Sequence, residues 1–265
     1  MRCHAHTDFV LDSLDAVYQM TDKKTTRIVC AVDGNNQRLG KILSKVLGED
    51  HVLIANRRYG WGPGLWSLLA KSVLEFEKRF RFGHFMTIDY DTLFIKPGAD
   101  LEVLGMIDSP DIGLIGNHNL SNKHWEVAFH RERDNLSARL GGIPKSYVPG
   151  EGVQGGCFVL TRSGIEGLKR KRLLDSHWAN AASFTTIADD HLVTLLIRAA
   201  GLRILDLPSS RFYIVWRSEK NLLALHKTDV KVFHPTKVRP EVKDRNVELR
   251  IRNFYRKLRG REPLI

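Results

Sequence analysis

Within the first hundred residues, short apolar runs alternate with segments of helical period, and this alternation limits the fold more than any other feature. Residues 1–6, 27–32, 51–55 and 84–88 read as strands, the middle runs ending in turn formers such as Asp33-Gly34-Asn35-Asn36. Between them, Thr7 or Asp8 caps a helix with Val10, Leu11, Leu14, Val17 and Tyr18 on one face. Leu39, Ile42, Leu43, Val46 and Leu47 make a second helical face closed by Gly48, and residues 65–80 make a third helix. Strand–helix repetition implies right-handed crossovers, hence an α/β fold with a mostly parallel central sheet and helices on both faces. Ligands of such sheets lie beyond the carboxyl ends of the strands. His6-Thr7, Asp33-Gly34-Asn35 and Asp89-Tyr90-Asp91 fall at those ends and form one candidate site.

Asp89-Tyr90-Asp91 is the sharpest chemical signal. It lies between Phe85-Met86-Thr87-Ile88 and Thr92-Leu93-Phe94-Ile95. Two charges inside so apolar a stretch are costly unless paired or metal-bound. One residue apart after a buried strand, the carboxylates can face a common cation, and their oxygens suit Mg²⁺ or Mn²⁺. Such a cation, bridging phosphate oxygens, stabilises a departing diphosphate.

The second half is less regular. Residues 112–115, 155–160, 204–205 and 231–233 read as strands, and helices are expected over 125–140, 163–172 and from Asp189 or Asp190 to Gly201. Gly155 and Gly156 mark a bulge or a close backbone approach. Asp189-Asp190 reads either as an N-cap with a first-turn acid or as a site for a general base. In the second reading Asp190 takes the proton of an acceptor hydroxyl, its pKa raised by its like-charged neighbour. His234 is either a satisfied strand-end histidine or a metal ligand. Arg57-Arg58 is a solvated turn or a diphosphate contact. Trp61 stacks on a base or sugar ring, or anchors its loop.

These motifs, in this order, resemble the GT-A glycosyltransferases. Residues 84–94 are similar to that superfamily's strand-plus-DxD signature. Asp33 matches its base-reading aspartate. Residues 152–160 resemble the glycine-rich strand of fringe-like and β-1,3-galactosyltransferase-like members, Ala188-Asp189-Asp190-His191 their Glu-Asp pair, and residues 232–237 the segment of their late metal-binding histidine. Asp189 stands where a Glu is usual, and the three-acid metal motif is reduced to Asp-Tyr-Asp. The resemblance implies a UDP-sugar donor with Mn²⁺ (or Mg²⁺), and an acceptor that is a glycan or another hydroxyl. Asp33, Asp89, Arg57, Gly155 and Gly156 would then bind the donor, Asp89, Asp91 and His234 the metal, with Asp190 and Asp189 catalytic and Asp190 the base of a direct displacement that inverts the anomeric carbon. Residues 1–240 are read as one GT-A domain, with a nucleotide-sugar half (1–100) and an acceptor half (101–240), followed by a basic C-terminal helix (241–265).

Net charge is +11. From Lys237 onward, ten Lys/Arg against four Asp/Glu give +6 in the tail. Val247, Ile251, Phe254, Tyr255 and Leu258 share one face there, with arginines over much of the rest. This pattern suits a helix packed on the body, or peripheral contact with an anionic membrane. No RNA-binding signature or zinc-finger spacing accompanies the charge, so no nucleic-acid partner is expected. No apolar leader or membrane-length run is present, and the three widely spaced cysteines indicate no disulfide framework. A cytoplasmic location, peripheral at the membrane, is expected. Three alternatives stay open: a retaining enzyme, in which the acid pair only caps a helix; a nucleotidyltransferase, disfavoured by the lack of a Gly-rich, Lys-bearing loop after the first strand; and a non-enzymatic basic binding module.

Overall fold

The computed structural model describes residues 1–3, 6–175, 177–237 and 245–265. The chain begins with β1 (Arg2–Cys3), α1 (Thr7–Met20), β2 (Cys30–Val32), α2 (Gln37–Leu47), β3 (Val52–Ile54), α3 (Pro63–Arg79) and β4 (His84–Ile88). Then come β5 (Leu93–Phe94), α4 (Ala99–Gly105), β6 (Ile112–Asn119), α5 (Lys123–Leu140), β7 (Gly152–Thr161) and α6 (Arg162–Arg170). The last third holds α7 (Asp189–Ala199), β8 (Arg203–Asp206), β9 (Phe212–Ile214), α8 (Glu219–Ala224), β10 (Val232–His234) and α9 (Arg245–Leu258).

The strand–helix alternation of the first half forms as expected, with shorter strands. The strand expected over 1–6 is the two-residue β1, and residues 4 and 5 lie outside the described residues. Neither Thr7 nor Asp8 caps α1; His6 holds that position, in a left-handed conformation and without a side-chain cap. Asn36 caps α2 through its side chain, and Gly48 ends it.

Among the described residues the strands form three small sheets, in which parallel pairings outnumber antiparallel ones. β1, β2 and β3 pair in parallel, in the order the crossovers require. β4 pairs antiparallel with β7, β7 antiparallel with β6, and β6 parallel with β8. β10 lies between β5 and β9. A parallel bridge between Arg2 and Asp89 joins the first sheet to the end of β4. The second half of β7 is buried on both faces, so residues 157–160 are a continuous apolar run with period-two sorting. Cys157 and Val159 enter the core shared with α1 and α9, while Phe158 and Leu160 enter the core shared with α3 and α7.

The C-terminal helix belongs to the body. The boundary expected at 240/241 lies outside the described residues, but α9 packs Ile251 and Tyr255 into the core. Leu258, expected on that face, is exposed, and Arg252, expected outside, has no exposure at all. Its guanidinium bonds Asp12 and Ser13 at 3.0 Å on α1, Glu248 at 3.0 and 3.1 Å, and the Tyr90 carbonyl at 3.0 Å. Arg245 pairs with Asp8, Arg250 with Glu219, Arg256 and Arg259 with Asp12, and Arg261 with Asp15. Much of the tail's charge is therefore met within the chain. Among the described residues, no helix is long and apolar enough to cross a membrane.

Removing one partner of a buried ion pair strands the other charge. Arg252→Met is accordingly expected to lower unfolding free energy by roughly 3–5 kcal/mol in urea titration, whereas Arg250→Met, at an exposed pair, should cost no more than about 1 kcal/mol.

Candidate active site

The ends of β1, β2, β4 and β10 open onto one cavity of about 710 Å³, which β7 and the start of α7 also line. Asp89, just past β4, donates its N–H to the Gly156 carbonyl at 3.0 Å, which ties the Asp-Tyr-Asp turn to β7. Arg2, 4% exposed, lies beside it. Its Nε donates to Asp89 Oδ1 at 2.7 Å and its Nη1 to Asp189 Oδ2. Burial would lower the Arg2 pKa, but the two carboxylates hold it above its ordinary value.

The other Asp89 oxygen, Oδ2, lies 3.9 Å from His234 Nε2, and Asp91 Oδ1 lies 3.3 Å from the same nitrogen. Ligand atoms of Asp89, Asp91 and His234 all fall within 4.8 Å of one another. Atoms cis on an octahedral ion bonded at about 2.1 Å are about 3.0 Å apart, and trans atoms about 4.2 Å. The cluster therefore fits a cation such as Mg²⁺ or Mn²⁺ with small adjustments, and its two oxygens and one imidazole nitrogen are the donors such ions take. Lys237 Nζ sits 2.8 Å from Asp91 Oδ2 and 4.7 Å above the Tyr90 ring. Burial alone would raise Asp91, yet His234 and Lys237 hold it well below the usual carboxylate range.

The glycines of β7 make room for functional side chains. Gly156 has φ +93°, and a Cβ there would collide with the His234 imidazole. A Cβ on Gly152 would collide with the ring of His191, and one on Gly155 would stand 3.2 Å from Asp190 Oδ2. All three line the cavity. The close approach read from the sequence is thus real, but it is an approach to the protein's own His234, His191 and Asp190.

Asp33 lines the cavity with both oxygens engaged, accepting from Tyr59 N at 2.7 Å and Gly60 N at 3.1 Å. It thereby fixes the loop that carries Arg58 and Trp61. Arg57 does not reach the cavity: its guanidinium bonds Asn180 and stacks on Tyr59, while Arg58 lines the site in its place. The acid pair divides. Ala188 holds the N-cap of α7, so neither aspartate is the cap. Asp189 is buried against Arg2; Asp190, only half-buried, accepts from Gly155 N at 3.1 Å and His191 N at 2.9 Å. Burial lifts both to about 6, opposed at Asp189 by Arg2 and at Asp190 by those amides. The leading cause at Asp190 is therefore burial, not its like-charged neighbour.

Sequence reasoning missed Arg2, Lys237, Trp125 and the site role of His191. Lys237, three residues after His234, was visible as the only cation of its motif. Arg2 could be anticipated only from the need of buried carboxylates for a counter-ion.

The fold has counterparts among solved structures. Galactosyltransferase LgtC, solved with donor and acceptor sugar analogues, matches 97% of this chain and 95% of its own, with TM-score 0.52 and 12% identity. The apo bifunctional glycosyltransferase WbbM matches 98% of this chain with TM-score 0.50 and 11% identity, and the chain spans 51% of that protein. Mouse xyloside xylosyltransferase 1 aligns with 88% of this chain and 95% of its own at 11% identity and TM-score 0.49. At these identities the likeness to LgtC and WbbM establishes the GT-A fold and nothing finer. No protein-family model matches the sequence, and no curated protein matches it.

If Gly156 exists to seat His234, Gly156→Ala should weaken Mn²⁺ affinity by about 10–100-fold, as loss of a ligand's support does. Isothermal titration with Mn²⁺ on the folded variant checks this. Unchanged affinity would detach His234 from the metal cluster.

Proposed function

We propose that the protein is a metal-dependent glycosyltransferase that moves a sugar from a nucleotide-sugar, a UDP-sugar used with Mn²⁺, to an acceptor hydroxyl. The carrying observation is that Asp89, Asp91 and His234 cluster in the same cavity wall as Asp33 and Asp190. When bound by those three residues, the metal supplies neutralising charge for the leaving diphosphate. Lys237 and Arg58 line the same cavity and offer charge-assisted hydrogen bonds to phosphate oxygens. Asp33 sets the loop against which the base would lie. A non-enzymatic basic module leaves this constellation without a purpose. Within the class, the order of glycine strand, acid pair and late histidine supports a fringe-like or β-1,3-galactosyltransferase-like arrangement.

Asp190 is the base in this reading. The acceptor oxygen attacks the anomeric carbon, its proton passes to Asp190, and the bond from that carbon to the diphosphate breaks with the electron pair leaving on the nucleotide. A pKa near 6 suits the task better than that of an ordinary aspartate. One observation favours a second reading, retention of configuration. Both Asp190 oxygens already accept backbone amides, so the carboxylate can serve as a fixed charge beside the sugar without taking a proton.

Two outcomes are expected. Asp91→Asn should weaken UDP binding at least about tenfold in the presence of Mn²⁺ and leave it unchanged without the metal; equal binding in both conditions would remove the metal from the proposal. Asp190→Asn should lower kcat by about 10²–10⁴-fold. Since the ionised form is the base, wild-type kcat should rise with pH through about 6, and the variant should lose that limb. NMR of the fresh product reads the anomeric configuration, and a retained configuration would transfer the assignment to the second reading.

A further inference from the structure

We infer that the acceptor is presented as a sugar ring lying against Trp125, with His191 receiving one of its hydroxyls; this rests on the glycosyl-transfer reading above. Trp61, on the glycine loop held by Asp33, is 77% exposed, a large apolar surface to leave in water. Its ring centroid lies 6.3 Å from that of Trp125, and Trp125 lies 5.2 Å from His191 at an interplanar angle of 35°. All three line the cavity. They form an aromatic path from its exposed lip to the first turn of α7, beside Asp190. Aromatic faces are electron-rich, and the ring C–H bonds of a pyranose, polarised by neighbouring oxygens, pack favourably against them.

The polar groups fit the same ligand. His191 Nδ1 lies 2.9 Å from the Glu151 carbonyl, which can only accept, so the proton is on Nδ1. Nε2 is then an acceptor, and it has no hydrogen-bond partner among the described residues. Burial depresses the ring's pKa to about 4, so it stays neutral in assay. Glu151 is itself locked by His118 at 2.8 Å and by Arg198, which fixes the carbonyl that orients the imidazole. Asn122, also lining the cavity, spends its Oδ1 on capping α5 and keeps its amide hydrogens as donors. Aromatic surface sharing a cavity with an unspent acceptor and unspent donors matches a ring bearing several hydroxyls. A lipid alcohol offers one hydroxyl and no such pattern. Asp190 and His191 both line this cavity, so a ring held at His191 lies in the same space as the candidate base.

The test is binding of the intact chain, loaded with UDP and Mn²⁺, to a glycan array presenting terminal hexoses, hexosamines and pentoses. Serine/threonine peptides and polyprenyl phosphate micelles are run alongside. The expected result is saccharide binding with quenching of tryptophan fluorescence. Trp125→Leu should weaken it at least about tenfold, which corresponds to about 1.4 kcal/mol. His191→Phe keeps the stack and loses the acceptor; it should raise acceptor KM with little change in UDP affinity, and His191→Gln should recover part of the loss. If UDP–Mn²⁺ does not bind the wild type, the glycosyltransferase reading fails and takes this one with it. If UDP–Mn²⁺ binds but no glycan does, or only peptides or polyprenyl phosphate do, this inference alone is overturned. Glycan binding indifferent to Trp125 and His191 also overturns it.

Discussion

Arg252 carries its charge in the interior, where an ion costs several kcal/mol unless its donors are met. They are met by α1, by Glu248 on its own helix, and by two backbone segments that matter for chemistry. One is the Tyr90 carbonyl, between Asp89 and Asp91; the other is reached through Thr236, whose hydroxyl accepts from Arg252 at 3.3 Å and whose N–H donates to the Asp91 carbonyl at 2.9 Å. The acid turn and the chain just past His234 are thus pinned by one planar group from behind. A guanidinium suits this because its donors lie in a fixed fork, so the distance between the two segments is set rather than averaged. The helix whose arginines read as a surface feature is the back wall of the candidate metal cluster.

β7 plays the complementary role from the front. Its outer half supplies apolar side chains to two cores, and its first half supplies almost none. Gly152, Gly155 and Gly156 leave the space that His191, Asp190 and His234 fill. The same strand therefore carries packing at one end and absence of packing at the other. His191 arrives from α7 and His234 from β10, so side chains distant in sequence meet over a surface with no atoms to spare for its own.

Most of the first half was legible because its signals are local. Asp33 and Asp91 follow apolar runs, and strand ends are where such a fold gathers ligand groups. Tertiary choices were not legible. Nothing in residues 84–88 says that β4 will pair antiparallel with a strand about seventy residues later rather than extend the parallel set. Arg57 and Arg58 are indistinguishable by type, and only the turn decides that Arg58 lines the cavity while Arg57 lies on Tyr59. Arg252 and Leu258 were misplaced for a related reason: a helical face defined by hydrophobicity cannot anticipate a buried charge whose partners sit over two hundred residues away, at Asp12. The division of labour between Asp189 and Asp190 was likewise hidden, since it depends on Arg2.

That arginine has a consequence for how the protein can change. Among the described residues, Arg2 is the one side chain bonded to both Asp89 and Asp189, so two acids a hundred residues apart draw on a single counter-ion. Residues 89 and 189 are therefore not independent characters. An exchange at either alters the charge balance felt by the other, and its effect depends on what already stands at the second position. A lineage that replaced one would be expected to revise all three positions together, and such a triplet would remain recognisable as a unit after the overall sequence had drifted beyond recognition.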